Sequence, residues 1–231
     1  MSHTLSLTFV RRAGLAAVVF AALSMVMAPL NALARMRTAD GRSDLENPLA
    51  SWWAEPAMDL VRPLVDWGSP DTVYETYGKF YVFAVLAALA CAVAVRSRRP
   101  SPMRFAERWE WRIILPAYVL MALSLFFIYW VANLDLVFLA VTIPAVLLST
   151  IGETMLGIGL IRGGFRPRLT GWLLALSLPL SQALVVVSTQ AFGMWPMMFA
   201  WGLAGCSLWR STTPEALPST RTATSVSRRT G

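Results

Sequence analysis

Histidine is nearly missing from this chain: the single one, His3, sits at the extreme N-terminus of 231 residues. Bis-histidine haem ligation inside a bundle, an HExxH zinc protease and any intramembrane dyad needing an imidazole base are thereby excluded. Cysteine is almost as scarce. Cys91 and Cys206 lie far apart and form no CxxC pair, so neither a disulfide framework nor dithiol chemistry is implied. No phosphate-cradling GxxxxGK[ST] loop is present. Charge is thin, at 14% of residues against 56% hydrophobic, and a chain so balanced cannot easily cover a water-soluble surface. Its solvent is the bilayer.

What the chain does have is a series of apolar stretches, at roughly 13–33, 77–95, 113–134, 136–161, 172–189 and 193–209. A span needs about 20 apolar residues to cross about 30 Å of hydrocarbon, and only a helix satisfies its own backbone there. The expected fold is all-α: a polytopic transmembrane helical bundle of six spans over 13–209. A short segment, 1–12, precedes it, and a Ser/Thr/Arg-rich tail, 210–231, is expected to be disordered. Threaded alternately, the inner segments carry fifteen basic residues and the outer ones only Arg35, Arg37, Arg42, Arg62 and Lys79. Cationic loops resist translocation, so both ends are expected in the cytoplasm. Charge also decides the least regular region, 172–209. A sixth crossing, through a hairpin at 190–196, keeps the arginines of the tail inside.

Two readings of the first segment stand side by side. Arg11 and Arg12 before an apolar run, with Ala32-Leu33-Ala34 near its end, match a signal peptide cleaved after Ala34, which would leave five spans. The run over 13–30 is longer than the about 7–15 residues of a signal core, which favours a retained anchor.

The loop 35–76 faces outward and holds eight of the thirteen acids. Between 55 and 67, Met58, Val61, Leu64 and Val65 recur at helical spacing around Asp59, Arg62 and Asp66. That pattern predicts an amphipathic helix on the outer interface, anchored by Trp52, Trp53 and Trp67. Ser69-Pro70-Asp71 reads as an N-cap, a first-turn proline and a dipole-complementing acid, so the second span begins as helix ahead of its apolar run. Asn133 and Asp135 mark an outer turn, while Gly163, Gly164 and Pro167 mark an inner one. On the inner side, Arg96, Arg98, Arg99, Arg104, Arg108 and Arg112 surround Pro100 and Pro102, and the Trp/Glu/Arg tract that follows predicts a juxtamembrane helix on the inner leaflet. The expected partners are the lipid bilayer and the anionic headgroups beside these loops, not nucleic acid. Pro116, Pro144, Pro179 and Pro196 are expected to kink or start spans.

One acid lies within a span. Glu153 is about 12 Å deep by helical rise, where an ionised carboxylate costs on the order of 3 kcal/mol. It must face the bundle and either pair or carry its proton. Ser177, Ser181 and Gln182 on the fifth span, and Tyr118 and Ser124 on the third, lie at similar depth, so these six residues form the expected intramembrane polar cluster. It is either a proton, cation or polar-ligand site, or a set of interhelical hydrogen bonds that fixes packing. No catalytic residue, cofactor or metal is assigned. Ser149, Gly152, Gly157 and Gly159 make small faces that admit a close helix from this chain, from a homodimer partner or from another membrane protein. No internal repeat is visible to suggest an inverted-repeat transporter.

The stretch 152–174, GETMLGIGLIRGGFRPRLTGWLL, resembles the GxxLxRxGxxPRxxGWLL pattern of uncharacterised multi-pass integral membrane proteins of high-GC actinobacteria. The resemblance covers a small part of the chain. It implies a small polytopic membrane protein and transfers no site residue. The function expected from the whole sequence is that of a non-enzymatic accessory or small-ligand-handling protein of the plasma membrane. The alternative is a proton-coupled or ion transporter using Glu153.

Overall fold

The structure, a computed structural model, describes residues 5–99, 105–131, 138–188 and 190–211. Of these 89% are helical, and no strand occurs among the described residues. His3, the Pro100/Pro102/Arg104 segment, the Asn133/Asp135 turn and the tail beyond residue 211 lie outside the described residues.

Among the described residues four helices are long and apolar enough to cross a membrane: Leu7–Arg37, Pro70–Ser97, Phe105–Val131 and Phe138–Arg162. The first is α1, whose N-cap Ser6 accepts from the Phe9 amide at 3.2 Å. The connection after α1 carries α2 (Pro48–Leu60) and the single turn α3 (Arg62–Val65). Next comes α4 (Pro70–Ser97), with Ser69 as N-cap, Pro70 in the first turn and Asp71 beside it, as the sequence predicts. Then α5 (Phe105–Phe126) continues into a π-helical turn, Phe127–Val131, and a second such turn, Phe138–Thr142, leads into α6 (Ile143–Arg162). A fifth apolar segment is broken: α7 (Arg168–Ala175) and α8 (Ser177–Val187) meet at 65°. The last helix, α9 (Trp195–Ser211), has 17 residues, about 26 Å of rise, and follows a 3-10 turn at Gln190–Met194.

The helices close into a ring. In order around it stand α1, α4, α5, α6, α7 with α8, and α9, which packs back on α1. Small residues set that last seam. A Cβ on Gly14 would stand 2.7 Å from the Gly205 carbonyl oxygen, and one on Gly202 would stand 2.6 Å from the Ala21 Cβ, so only glycine allows the two backbones so near. Further along, the Trp195 indole N–H donates to the Ser24 carbonyl at 3.2 Å. Contacts running 14 to 24 against 205 to 195 make α1 and α9 antiparallel. The residues Ala32, Leu33 and Ala34 are helical and buried in this packing.

The structure departs from the sequence reading in four places. The outer helix begins and ends earlier than 55–67, because Asn47 caps it over Pro48 and Pro63 removes the N–H that would continue it past Leu60. Trp52 and Trp67 are exposed, but Trp53 turns inward onto Phe192, with its indole N–H donating to the Val187 carbonyl at 3.2 Å. The Trp/Glu/Arg tract is the first part of α5, with Glu107, Glu110 and Trp111 buried and Phe105 and Trp109 outside. Finally, 172–189 is not one rod: the Pro179 ring excludes the Ala175 carbonyl from a regular helix, and the chain turns at Leu176. Pro144 starts α6 and Pro196 opens α9, as expected, whereas Pro116 lies inside α5.

The small-residue faces of α6 are used within the chain. Gly157 lies on the backbone of Gly171 and Ala175, Gly152 on Ile113 and Ile114, and Gly159 against the Glu110 carboxyl. At its C-terminus α1 carries two cations that the following loop engages: Arg35 pairs with Asp44 at 3.0 Å, and Arg37 with Asp66 and the Val65 carbonyl. Lys79 lies over the Trp130 ring at 5.0 Å, and Arg62 pairs with Asp59 at 2.9 Å.

Candidate intramembrane site

Glu153 is 3% exposed and points into the ring. Its neighbours come from three sides. On α5 the Tyr118 hydroxyl donates to Glu153 Oε1 at 3.1 Å, and that hydroxyl in turn accepts from the Trp201 indole N–H of α9 at 2.7 Å. On α8 the Ser177 hydroxyl adjoins the carboxyl, within reach of Thr154 Oγ1 at 3.5 Å and the Thr150 carbonyl at 3.4 Å. A buried carboxyl thus has hydroxyl donors, as apolar surroundings demand.

The expected six-residue cluster is therefore only partly assembled. Glu153, Tyr118 and Ser177 come together. Ser181, expected beside Glu153, instead donates to the Gly193 carbonyl at 2.6 Å, because the Gln190–Met194 turn folds back over α8. Ser124 pairs with Thr142 at 2.6 Å, since its place on α5, six residues beyond Tyr118, lies about 9 Å further along the helix. Gln182 is exposed on one side and reaches the cavity on the other.

That cavity is what the sequence did not reveal. It holds about 310 Å³, and Glu153, Ser149 and Ser181 are among its lining residues. One water takes about 30 Å³, so the space exceeds a packing defect and falls near the lower end of small-molecule sites, about 300–1,000 Å³. Its cause is the α7/α8 bend. Where α7 packs along α6, α8 only touches it, and the half of the ring nearer the C-terminus of α1 stays unfilled on that side. Ile143, Val146 and Leu147 form part of this wall and are 40%, 39% and 52% exposed, so the cavity adjoins the exposed surface of the bundle.

Toward the C-terminus of α1 the lining becomes aromatic and polar. The hydroxyls of Tyr74 and Tyr129 meet at 3.2 Å, the Tyr81 hydroxyl donates to the Ala191 carbonyl at 3.2 Å, and Asn31 donates to the Tyr74 carbonyl at 3.1 Å. Gly78 lets the Tyr129 ring rest against the α4 backbone. Arg35 lies at this end, engaged by Asp44. The spacing of Tyr74 and Tyr81, seven residues on one helix face, is the signal that could have found this end of the site. Toward the N-terminus of α5 the seam is closely packed: Ile114, Leu156, Leu160, Trp111 and Trp201 are all at most 1% exposed.

A second carboxyl lies beyond that seal. Glu110 is 8% exposed, and its Oε2 has no hydrogen-bond partner, nor does the Trp111 indole nitrogen. Glu107 is satisfied by Arg99 at 2.6 Å, and Arg99 also lies over the Phe165 ring at 5.9 Å. No group of three or more His, Cys, Asp and Glu side chains suited to a metal occurs among the described residues. Compared with known proteins, the chain matches no family model, no curated protein and no solved structure.

Proposed function

We propose that this is a small multi-pass plasma-membrane protein that holds a small lipophilic ligand inside its bundle, as a ligand-handling or accessory component rather than an enzyme. The observation that carries the reading is the cavity of about 310 Å³ with the Glu153 carboxyl in its lining. Around it stand hydroxyls, amides and aliphatic side chains, a set suited to holding a molecule. The resemblance of 152–174 to multi-pass actinobacterial proteins agrees with such an architecture. In this proposal six helices cross, with both ends inside. The antiparallel seam of α1 and α9 supports an even number of crossings, and the pairing of the outer arginines supports the charge-based orientation. Anionic headgroups are the proposed partners of the inner arginines, among them Arg108 and Arg112 beside the exposed Phe105 and Trp109.

A small phenyl-diazirine photoprobe tests the cavity in protein reconstituted into nanodiscs. Saturable labelling of the Met121 and Met197 peptides is expected, and Leu125→Trp, which enlarges a lining side chain, should suppress it. Equal labelling in that variant would refute the reading. A second reading, proton-coupled or ion transport through Glu153, is favoured by Glu110, whose Oε2 has no hydrogen-bond partner and which lies on the same α5/α6 seam. Proteoliposomes decide it: transport predicts a pH-gradient-driven flux that Glu153→Gln abolishes.

A further inference from the structure

We infer that the ligand of this cavity is a lipophilic ammonium ion, a protonated amine on a compact apolar body, whose nitrogen pairs with the Glu153 carboxylate in exchange for the carboxyl proton. The inference rests on the cavity reading and names the chemistry of its occupant. Glu153 is the only carboxyl among the described lining residues, and the one cation among them, Arg35, is committed to Asp44 at 3.0 Å. The lining's uncompensated charge is therefore negative whenever Glu153 ionises. An anion would meet repulsion there, whereas a neutral lipophile would gain at most a hydrogen bond from the carboxyl.

The geometry prepares the acid for such a partner. Tyr118 donates to Oε1 at 3.1 Å and is itself held by Trp201 at 2.7 Å, so the carboxyl is fixed in place from one side. Ser177 adjoins the carboxyl from α8, and the side of Glu153 that lines the cavity is the one left for the ligand. The surrounding wall offers Met121, Met194 and Met197, whose unbranched thioethers adapt to irregular apolar bodies, and the rings of Tyr81 and Tyr129, whose faces attract cations. Ile143, Val146 and Leu147 set the cavity beside the lipid, where amphiphilic amines concentrate.

The exchange balances. Glu153 releases its O–H proton to outer water, the ammonium N–H hydrogen-bonds to the carboxylate, and the cavity returns to zero net charge. The titratable and charged groups facing this site are Tyr118 and Tyr129 from α5, Tyr74, Tyr81 and Cys91 from α4, and Arg35 from α1; α8 supplies only Ser177, Ser181 and Gln182, and α9 the indole of Trp201. Tyrosine and cysteine do not ionise before a carboxyl, so Glu153 alone provides the exchange.

Two probes of one shape separate the claims: 4-phenylbutylammonium and the uncharged 4-phenylbutan-1-ol, titrated calorimetrically into the full chain in nanodiscs at about pH 8 and about pH 5, below the range where the amine itself loses its proton. The ammonium should bind at least about tenfold more tightly than the alcohol at the higher pH and lose that advantage at the lower one. Glu153→Gln, which keeps an acceptor for Tyr118, should bind the two probes equally and unfold at the wild-type temperature. Equal binding of both probes to the wild-type protein would overturn the ammonium assignment and leave the cavity reading standing. If neither probe bound, the cavity reading would fall as well.

Discussion

Tyr118→Phe isolates the central hydrogen bonds, because the two side chains share a shape and the change removes only a hydroxyl. That hydroxyl accepts from the Trp201 indole at 2.7 Å and donates to Glu153 at 3.1 Å, and Tyr118 is fully buried. Without it, the Trp201 N–H loses its acceptor among apolar neighbours, a loss of about 1–3 kcal/mol. Glu153 keeps its neighbour Ser177, so its own loss should stay near the about 0.6 kcal/mol average of hydrogen bonds in membranes. The sum is about 2–4 kcal/mol. Reversible unfolding in mixed micelles, followed by far-UV circular dichroism, measures it. Glu153→Gln should cost less than about 1 kcal/mol, since the amide oxygen still accepts from Tyr118. The double variant should fall short of additivity by several tenths of a kcal/mol, as expected for side chains in contact. A Tyr118→Phe protein as stable as wild type, or strict additivity in the cycle, would refute the arrangement of α5, α6 and α9 around this hydroxyl.

Gly205→Val should separate α1 from α9 and lower stability by about 1–3 kcal/mol, whereas Gly68→Ala, where a Cβ meets only ordinary contacts at 3.7 Å and beyond, should be nearly silent; thermal unfolding compares them. Arg37→Ala removes the tie to Asp66 and the Val65 carbonyl, and limited proteolysis from the outer side should then cut 38–69 faster while the bundle stays folded. A reporter active only outside the cell, fused after residue 231, should be silent; a strong signal would rule out the sixth crossing.

The all-helical architecture could be read from the sequence because apolar length is dictated by the membrane itself. The start of α4 was also legible, since Ser69, Pro70 and Asp71 act within one turn and need no tertiary partner. The direction of Glu153 followed for the same reason: desolvation leaves a mid-span carboxyl no outward choice. Its partners were harder. Depth along a span can be counted, but rotation about it cannot, and Ser124 and Ser181 lie at plausible depths yet face Thr142 and Gly193. The bend at Leu176 was hidden because proline in a membrane helix either starts, kinks or merely decorates it, as Pro196, Pro179 and Pro29 each illustrate. The cavity was hidden with it. Empty space belongs to no residue, and only the path of α8 relative to α6 creates it.

That the first helix finds its partner in the last described one has a consequence for how the protein comes into being. While synthesis proceeds, α1 can meet α4, but its Gly14 face has nothing to rest on until α9 emerges, and Trp201 cannot reach Tyr118 before then. The ring is completed late, from its two ends. A ribosome halted before residue 195 would release a chain whose α1 lacks the α9 face it packs on and whose Tyr118 hydroxyl lacks its indole donor.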